Sequence, residues 1–121
     1  MAYTVNDEPA IAFAATTGHP GLEIRVNFGV FAGREATPAE IDLLAQAIIP
    51  RVGPISIVSE QRHQIGAHVE ALLHQVRIEI ADDLLPAETA ELDRLADELV
   101  KAAETWTEDC VSQRHADEVD L

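Results

Sequence analysis

The sequence predicts an α+β domain: a four-stranded antiparallel sheet covered on one face by two helices, in the order ββαββα. Three observations predict it. The hydrophobic period switches between 2 and about 3.6 residues along the chain. A capping box opens the first helix. Two long segments in the second half align as a hairpin in which one register sorts the side chains of both strands onto consistent faces.

Residues 10–16 are a short apolar run followed by Thr17-Gly18-His19-Pro20-Gly21, a turn composition between two apolar segments that suggests a hairpin. Residues 22–31 alternate, with Leu22, Ile24, Val26, Phe28 and Val30 on one face and Glu23, Arg25, Asn27 and Gly29 on the other. That is the pattern of a strand with one buried face. Thr37-Pro38-Ala39-Glu40 sets a hydroxyl acceptor three residues before a carboxylate, with Pro in the first turn. Ile41, Leu44, Ala45 and Ile48 then recur at helical spacing, and Pro50, Gly53 and Pro54 predict an end near Ile49.

Residues 55–80 read as a hairpin with its loop at 64–67. That register sets Ile55 opposite Val76, Ile57 opposite His74 and His63 opposite His68, and makes the second strand long enough to project past the sheet as an arm. After Pro86, Leu92, Leu95, Ala96, Leu99, Ala103, Trp106 and Cys110 form a stripe on a helix over 87–110. Its length of about 36 Å would cover the sheet.

A right-handed crossover through the first helix makes the strands at 22–31 and 55–60 parallel, and the strand at 67–80 inserts between them. This order resembles a ferredoxin-like α/β sandwich whose fourth strand sits at the N-terminus. The likeness is one of topology.

The chain of 121 residues is one domain's length. Residues 1–9 and 113–121 are polar and read as flexible ends, the second of them acidic, around a single domain at 10–112. With 22 acidic against 8 basic residues, the formal charge is −14. Such a chain disfavours nucleic acids and anionic membranes, whose affinity for proteins comes mainly from Lys and Arg. No apolar run reaches the roughly 18 residues that would span a bilayer, and no basic-then-apolar leader opens the sequence, so the expected location is cytoplasmic.

The predicted open face of the sheet combines Arg25, Asn27, Gln75 and Arg77 with Val58, Val69, Ala71, Leu73 and Phe31, too apolar a mixture for a purely solvated surface. A second copy is the simplest cover, because two-fold homodimers dominate soluble oligomers. The expected interface is Val58, Val69, Ala71, Leu73 and Arg77.

For chemistry, the densest set of titratable groups is Glu60, His63, His68, Glu70 and His74. Imidazoles beside a carboxylate can hold a divalent transition metal, and His63 and His68 are the candidate ligands. Against this, the spacing matches no metal signature, and no nucleophile elbow or Ser-His-Asp set is present. Cys110 falls on the helix stripe as a buried apolar residue. The expectation is a small acidic homodimeric binding or accessory protein, without cofactor and able to take a protein partner. The alternative is a small dimeric α+β-barrel enzyme or metal-binding protein that uses the hairpin at 60–74. A third reading, mimicry of a polyanion, would draw on Glu108, Asp109, Asp117, Glu118 and Asp120.

Overall fold

A computed structural model describes residues 10–15, 21–66 and 70–119. In chain order these form β1 (Ala12–Ala15), β2 (Gly21–Val26), α1 (Phe28–Ala32), α2 (Pro38–Val52), β3 (Ser56–Ile65), β4 (Glu70–Ala81), a 3-10 turn and α3 (Thr89–Val119). The strands make one sheet in the order β1-β2-β4-β3, with every neighbouring pair antiparallel. The fold is therefore α+β with a four-stranded antiparallel sheet, as the alternating periods predict.

The core lies between one face of the sheet and the helices. Leu22, Ile24 and Val26 of β2 and Val76, Ile78 and Ile80 of β4 are buried against Leu44 and Ile48 of α2 and Leu99, Ala103, Trp106 and Cys110 of α3. Each fully buried Leu or Ile contributes about 1.5–3 kcal/mol of transfer free energy. These residues carry the stability because aromatic residues make up only 4% of the chain. The rings of Phe28 and Trp106 pack against each other in this core, with centroids 5.0 Å apart.

The structure differs from the sequence reading in four places. The strand expected over 22–31 ends at Val26, and residues 28–32 turn into α1. Asn27 causes the break. Its backbone leaves the extended region (φ −83°, ψ 57°), its N–H bonds the Ile11 carbonyl at 2.9 Å, and its side-chain amide bonds the Ala10 carbonyl at 2.9 Å. Phe28 stays in the core, while Val30 and Phe31 come out at 43% and 38% exposure. Second, α2 does not stop near Ile49 but runs through Pro50 to Val52, where the Gly53 N–H bonds the Ile49 carbonyl at 2.8 Å. Proline in the last turn removes one helical donor and leaves the earlier turns intact.

Third, the hairpin register is Ile57↔Ile78, Ser59↔Val76 and His63↔Leu72, four residues along β4 from the expected pairing. An even shift leaves every residue on its original face, so facial patterning alone does not distinguish the two registers. The observed one continues the apolar row Ile24–Ile78 of the β2–β4 pair into Ile57. Fourth, α3 passes Cys110 and continues through Val119, into residues assigned to the tail. No Gly or Pro follows Pro86 to stop it.

Candidate functional site

The sheet face turned away from the helices carries an ordered charged surface. Side chains alternate along a strand, so Glu23 and Arg25 of β2, Arg77 and Glu79 of β4 and Glu60 of β3 lie opposite the core-facing residues. The register sets like charges against each other, Glu23 across from Glu79 and Arg25 across from Arg77. Directly opposed like charges destabilise a ladder. Ion pairs running along the strands and diagonally resolve the conflict.

Arg25 Nε donates to Glu23 Oε2 at 3.1 Å. Arg77 Nε donates to Glu79 Oε2 at 2.9 Å, Arg77 Nη1 to Glu60 Oε1 at 3.3 Å, and the same guanidinium stands 3.7 Å from Glu23 Oε1. Glu23 is only 6% exposed, and a carboxylate so enclosed is retained because two guanidinium groups face it. Next to these rows, Gln75 Nε2 donates to Asn27 Oδ1 at 2.6 Å, with both residues buried.

The face thus reads as two rows across four strands. One holds Phe13, Arg25, Arg77 and Val58; the other holds Ala15, Glu23, Glu79 and Ser56. Two of the expected interface residues, Val58 and Arg77, belong to the first row. The register places positions 71 and 73 on the same side of β4 as Arg77, and Val69 lies outside the described residues.

β4 pairs with β2 only from Val76 to Ala81, whereas its pairing with β3 extends to Glu70. Among the described residues, 70–75 are therefore laddered on one edge and form a two-stranded ribbon with β3. Ile65 lies near its tip at 75% exposure. α1 crosses β4 where the ribbon begins: a Cβ on Gly29 would fall 2.8 Å from the His74 backbone nitrogen.

The register changes the pairing expected of the histidines. His63 is exposed and faces Leu72 instead of His68, because of the register shift, and His68 lies outside the described residues. His74 is opposite Gln61, with a buried Nδ1 that has no hydrogen-bond partner among the described residues. No three His, Cys, Asp or Glu side chains among the described residues come together as a metal-binding group.

A second polar cluster joins the start of α2 to α3. Thr37 and Glu40 form the predicted capping box, with the Glu40 N–H donating to Thr37 Oγ1 at 3.2 Å and the Thr37 N–H to Glu40 Oε1 at 2.9 Å. Arg34 grips the same carboxylate with two bonds of 2.8 and 2.7 Å and stacks 5.3 Å above the Phe28 ring. Trp106 Nε1 donates to the Glu40 carbonyl at 2.8 Å. The hydrogen bonds from Arg34 hold the Glu40 carboxyl down at about 2. Burial, reinforced by the neighbouring Glu40 carboxylate, pushes the Cys110 thiol up to about 12. A thiol held protonated is a poor nucleophile, and the bonds of Arg34 and Trp106 to Glu40 make this cluster a clasp between the start of α2 and α3.

No helix among the described residues is long and apolar enough to cross a membrane. Compared with protein-family models, with curated proteins and with solved structures, the chain matches none.

Proposed function

We propose that the chain is a homodimeric binding or accessory protein, whose two copies pair through the open sheet face and the β3–β4 ribbon, and that it works without catalytic machinery of its own. The observation that carries this reading is the ribbon. Beyond His74, where α1 packs, residues 70–73 have a ladder partner on one side only among the described residues. An isolated two-stranded ribbon is marginal in water, and an uncovered strand edge invites pairing with another chain. The charge rows favour a second copy as the cover. A two-fold axis lying between the rows and parallel to them would set the glutamates of each copy over the arginines of the other, a self-complementary pattern of the kind an isologous interface requires. In this reading the sandwich is ferredoxin-like, with its fourth strand supplied from the N-terminus, and the protein acts in the cytoplasm.

Native mass spectrometry of untagged protein, prepared without added metal or chelator, tests the proposal. The expected result is a dimer without adduct at micromolar concentration. Val58→Lys should raise the dimer dissociation constant at least about 100-fold, equivalent to about 2.7 kcal/mol, with an unchanged circular dichroism spectrum. Because copies of charge −14 repel at long range, dimerisation should strengthen between low and physiological salt, the opposite of binding to a basic partner. A bare monomer at micromolar concentration sinks the proposal. A stoichiometric metal adduct lost in His63→Ala would instead favour the metal-binding alternative at the ribbon.

A further inference from the structure

β3 ends the sheet on one side, and its outer edge has no strand partner among the described residues. That edge is 10 residues long, from Ser56 to Ile65, and pairs with β4 in one unbroken register without proline, glycine or bulge. Sheets blunt such edges with prolines, bulges, charges or a cover. Of these devices β3 carries charge, at Glu60 and Arg62, while Ile65 stands at its end 75% exposed.

The direction of its free backbone groups follows from α1. In an antiparallel strand the N–H and C=O of one residue point to the same edge, and successive residues alternate. A Gly29 Cβ would stand 2.8 Å from the His74 nitrogen and 2.9 Å from its oxygen, so both His74 groups point to the α1 side of β4. Those of Gln75 and Leu73 therefore point to β3, where they meet Glu60 and Arg62. Positions 60 and 62 turn their backbone groups inward, and positions 57, 59, 61, 63 and 65 turn theirs outward.

The sequence of this edge is its own antiparallel complement. About Gln61 it pairs with a second copy as Gln61 with Gln61, Ser59 with His63 and Ile57 with Ile65. All are outward-pointing residues, so each pair exchanges two backbone hydrogen bonds. Between them Glu60 falls opposite Arg62, once on each side of the axis, in the pairs where side chains approach most closely. Opposite charges so placed stabilise a ladder. Neighbouring axes lose this match. An axis through position 60 or 62 opposes like charges, and one through 59 or 63 sets both charges against uncharged residues. An axis between two residues would put helix-side positions against open-face ones. Only the Gln61 axis also lays Ile65 beside Ile57, which extends the apolar row Ile24–Ile78–Ile57 into the second copy. Glu60 accepts from Arg77 within its own copy at 3.3 Å, and a carboxylate has acceptor sites for a second guanidinium.

We infer that a second copy of the chain docks on this edge, β3 against β3, antiparallel about Gln61, so that one sheet runs through both copies. The contact is at the sheet's edge and the dimer proposed above is at its open face, so neither requires the other. Distance separates them. Across the edge contact the two Gln61 Cα atoms are about 5.5 Å apart. The face contact has its axis near Ile57, four residues from Gln61, which places those atoms about 28 Å apart for sheets about 10 Å from each other.

Disulfide formation under mild oxidation tests the inference. Gln61 and His63 are both exposed, and the parent, whose one cysteine is buried, is the blank. Gln61→Cys should form a covalent dimer at micromolar concentration, because its separation suits a disulfide. His63→Cys lies about 13 Å from its own copy across the axis and should cross-link at least about tenfold more slowly. Added to Gln61→Cys, Arg62→Glu and Ile65→Lys should each slow the cross-link at least about tenfold with an unchanged circular dichroism spectrum. The inference is overturned if the two cysteine positions cross-link alike, if neither cross-links, or if both added substitutions leave the rate unchanged. A parent dimer in native mass spectrometry without a Gln61→Cys cross-link also overturns it and leaves the face proposal standing. A cross-linked dimer that associates no further supports the edge contact and refutes the face.

Discussion

Gly29→Val is expected to cost the fold at least about 3 kcal/mol, and to do so without any backbone strain at the substituted residue. Gly29 sits inside the short helix α1 and carries no left-handed backbone. What it lacks is room. A Cβ there would stand 2.8 Å from the His74 nitrogen, 2.9 Å from its Cβ and 2.9 Å from its oxygen. Two of those atoms are backbone of β4, which is laddered to β3 at that point and does not swing aside like a flexible side chain. Overpacking a close-packed site costs about 1–3 kcal/mol, and valine adds two methyl groups beyond the first clash. Relief requires α1 to lift, which would withdraw Phe28 from its contact with Trp106.

Gly33→Ala is the control. Its φ of 74° is unfavourable for alanine, but nothing lies within 4 Å of the new Cβ, so the loss should be about 1–2 kcal/mol from backbone alone. Urea titrations followed by Trp106 fluorescence separate the two. A Gly29→Val midpoint equal to the parent's would mean that α1 does not press on β4. The same variant should also speed hydrogen exchange along the β3–β4 ribbon, because α1 crosses β4 where the ribbon starts.

The asymmetry between these glycines shows which parts of the structure were legible in the sequence. Local rules with a chemical mechanism transferred well. The Thr37–Glu40 box formed as its residues require, and the α3 stripe from Leu99 through Ala103 and Trp106 to Cys110 entered the core. Period-2 alternation located β2 but could not find its end. Residues 22–30 keep one parity throughout, and the break came from Asn27 satisfying the backbone of residues 10 and 11, a contact that no local pattern encodes. The hairpin register failed for a related reason. Parity is preserved by any even shift, so choosing among registers needed the third strand, which contributes Ile24 opposite Ile78.

The charged face was half visible. Arg25 and Arg77 were legible as open-face residues, whereas their pairing with Glu23, Glu60 and Glu79 depends on which strands become neighbours. A signal did exist: Glu23-x-Arg25 and Arg77-x-Glu79 each place opposite charges two apart on one strand, on one face. The clasp was less legible still. Arg34 lies six residues before Glu40 across a loop, and Trp106 reaches the Glu40 carbonyl only because α2 and α3 run side by side.

The clasp supports a second large effect, one that depends on pH. Glu40's carboxyl lies at about 2 in the folded protein against an ordinary 4.5. A depressed carboxyl contributes stability that is fully present above about pH 4.5 and is lost as the pH falls through the interval down to about 2. A gap of that size is worth about 3 kcal/mol at 1.36 kcal/mol per unit, and solvent screening of a partly accessible pair reduces it to about 2 kcal/mol. Arg34→Met keeps the bulk over the Phe28 ring and removes both bonds to the carboxylate. At pH 7 this variant should be less stable than the parent by about 2 kcal/mol. Near pH 2.5 the gap should shrink to less than half, because the parent has by then begun to protonate Glu40 and lose the same interaction. Glu40→Gln should likewise flatten the acid limb, since glutamine can still accept from the Thr37 N–H but has no charge to titrate. If the parent and Arg34→Met differ by the same amount at both pH values, the guanidinium acts through packing on Phe28 and the ion pair contributes nothing. If the gap closes in acid, the charge on Glu40 is what joins the loop before α2 to the helix layer, and the Trp106 side chain bonded to the Glu40 carbonyl is held beside α2 by that same anchor.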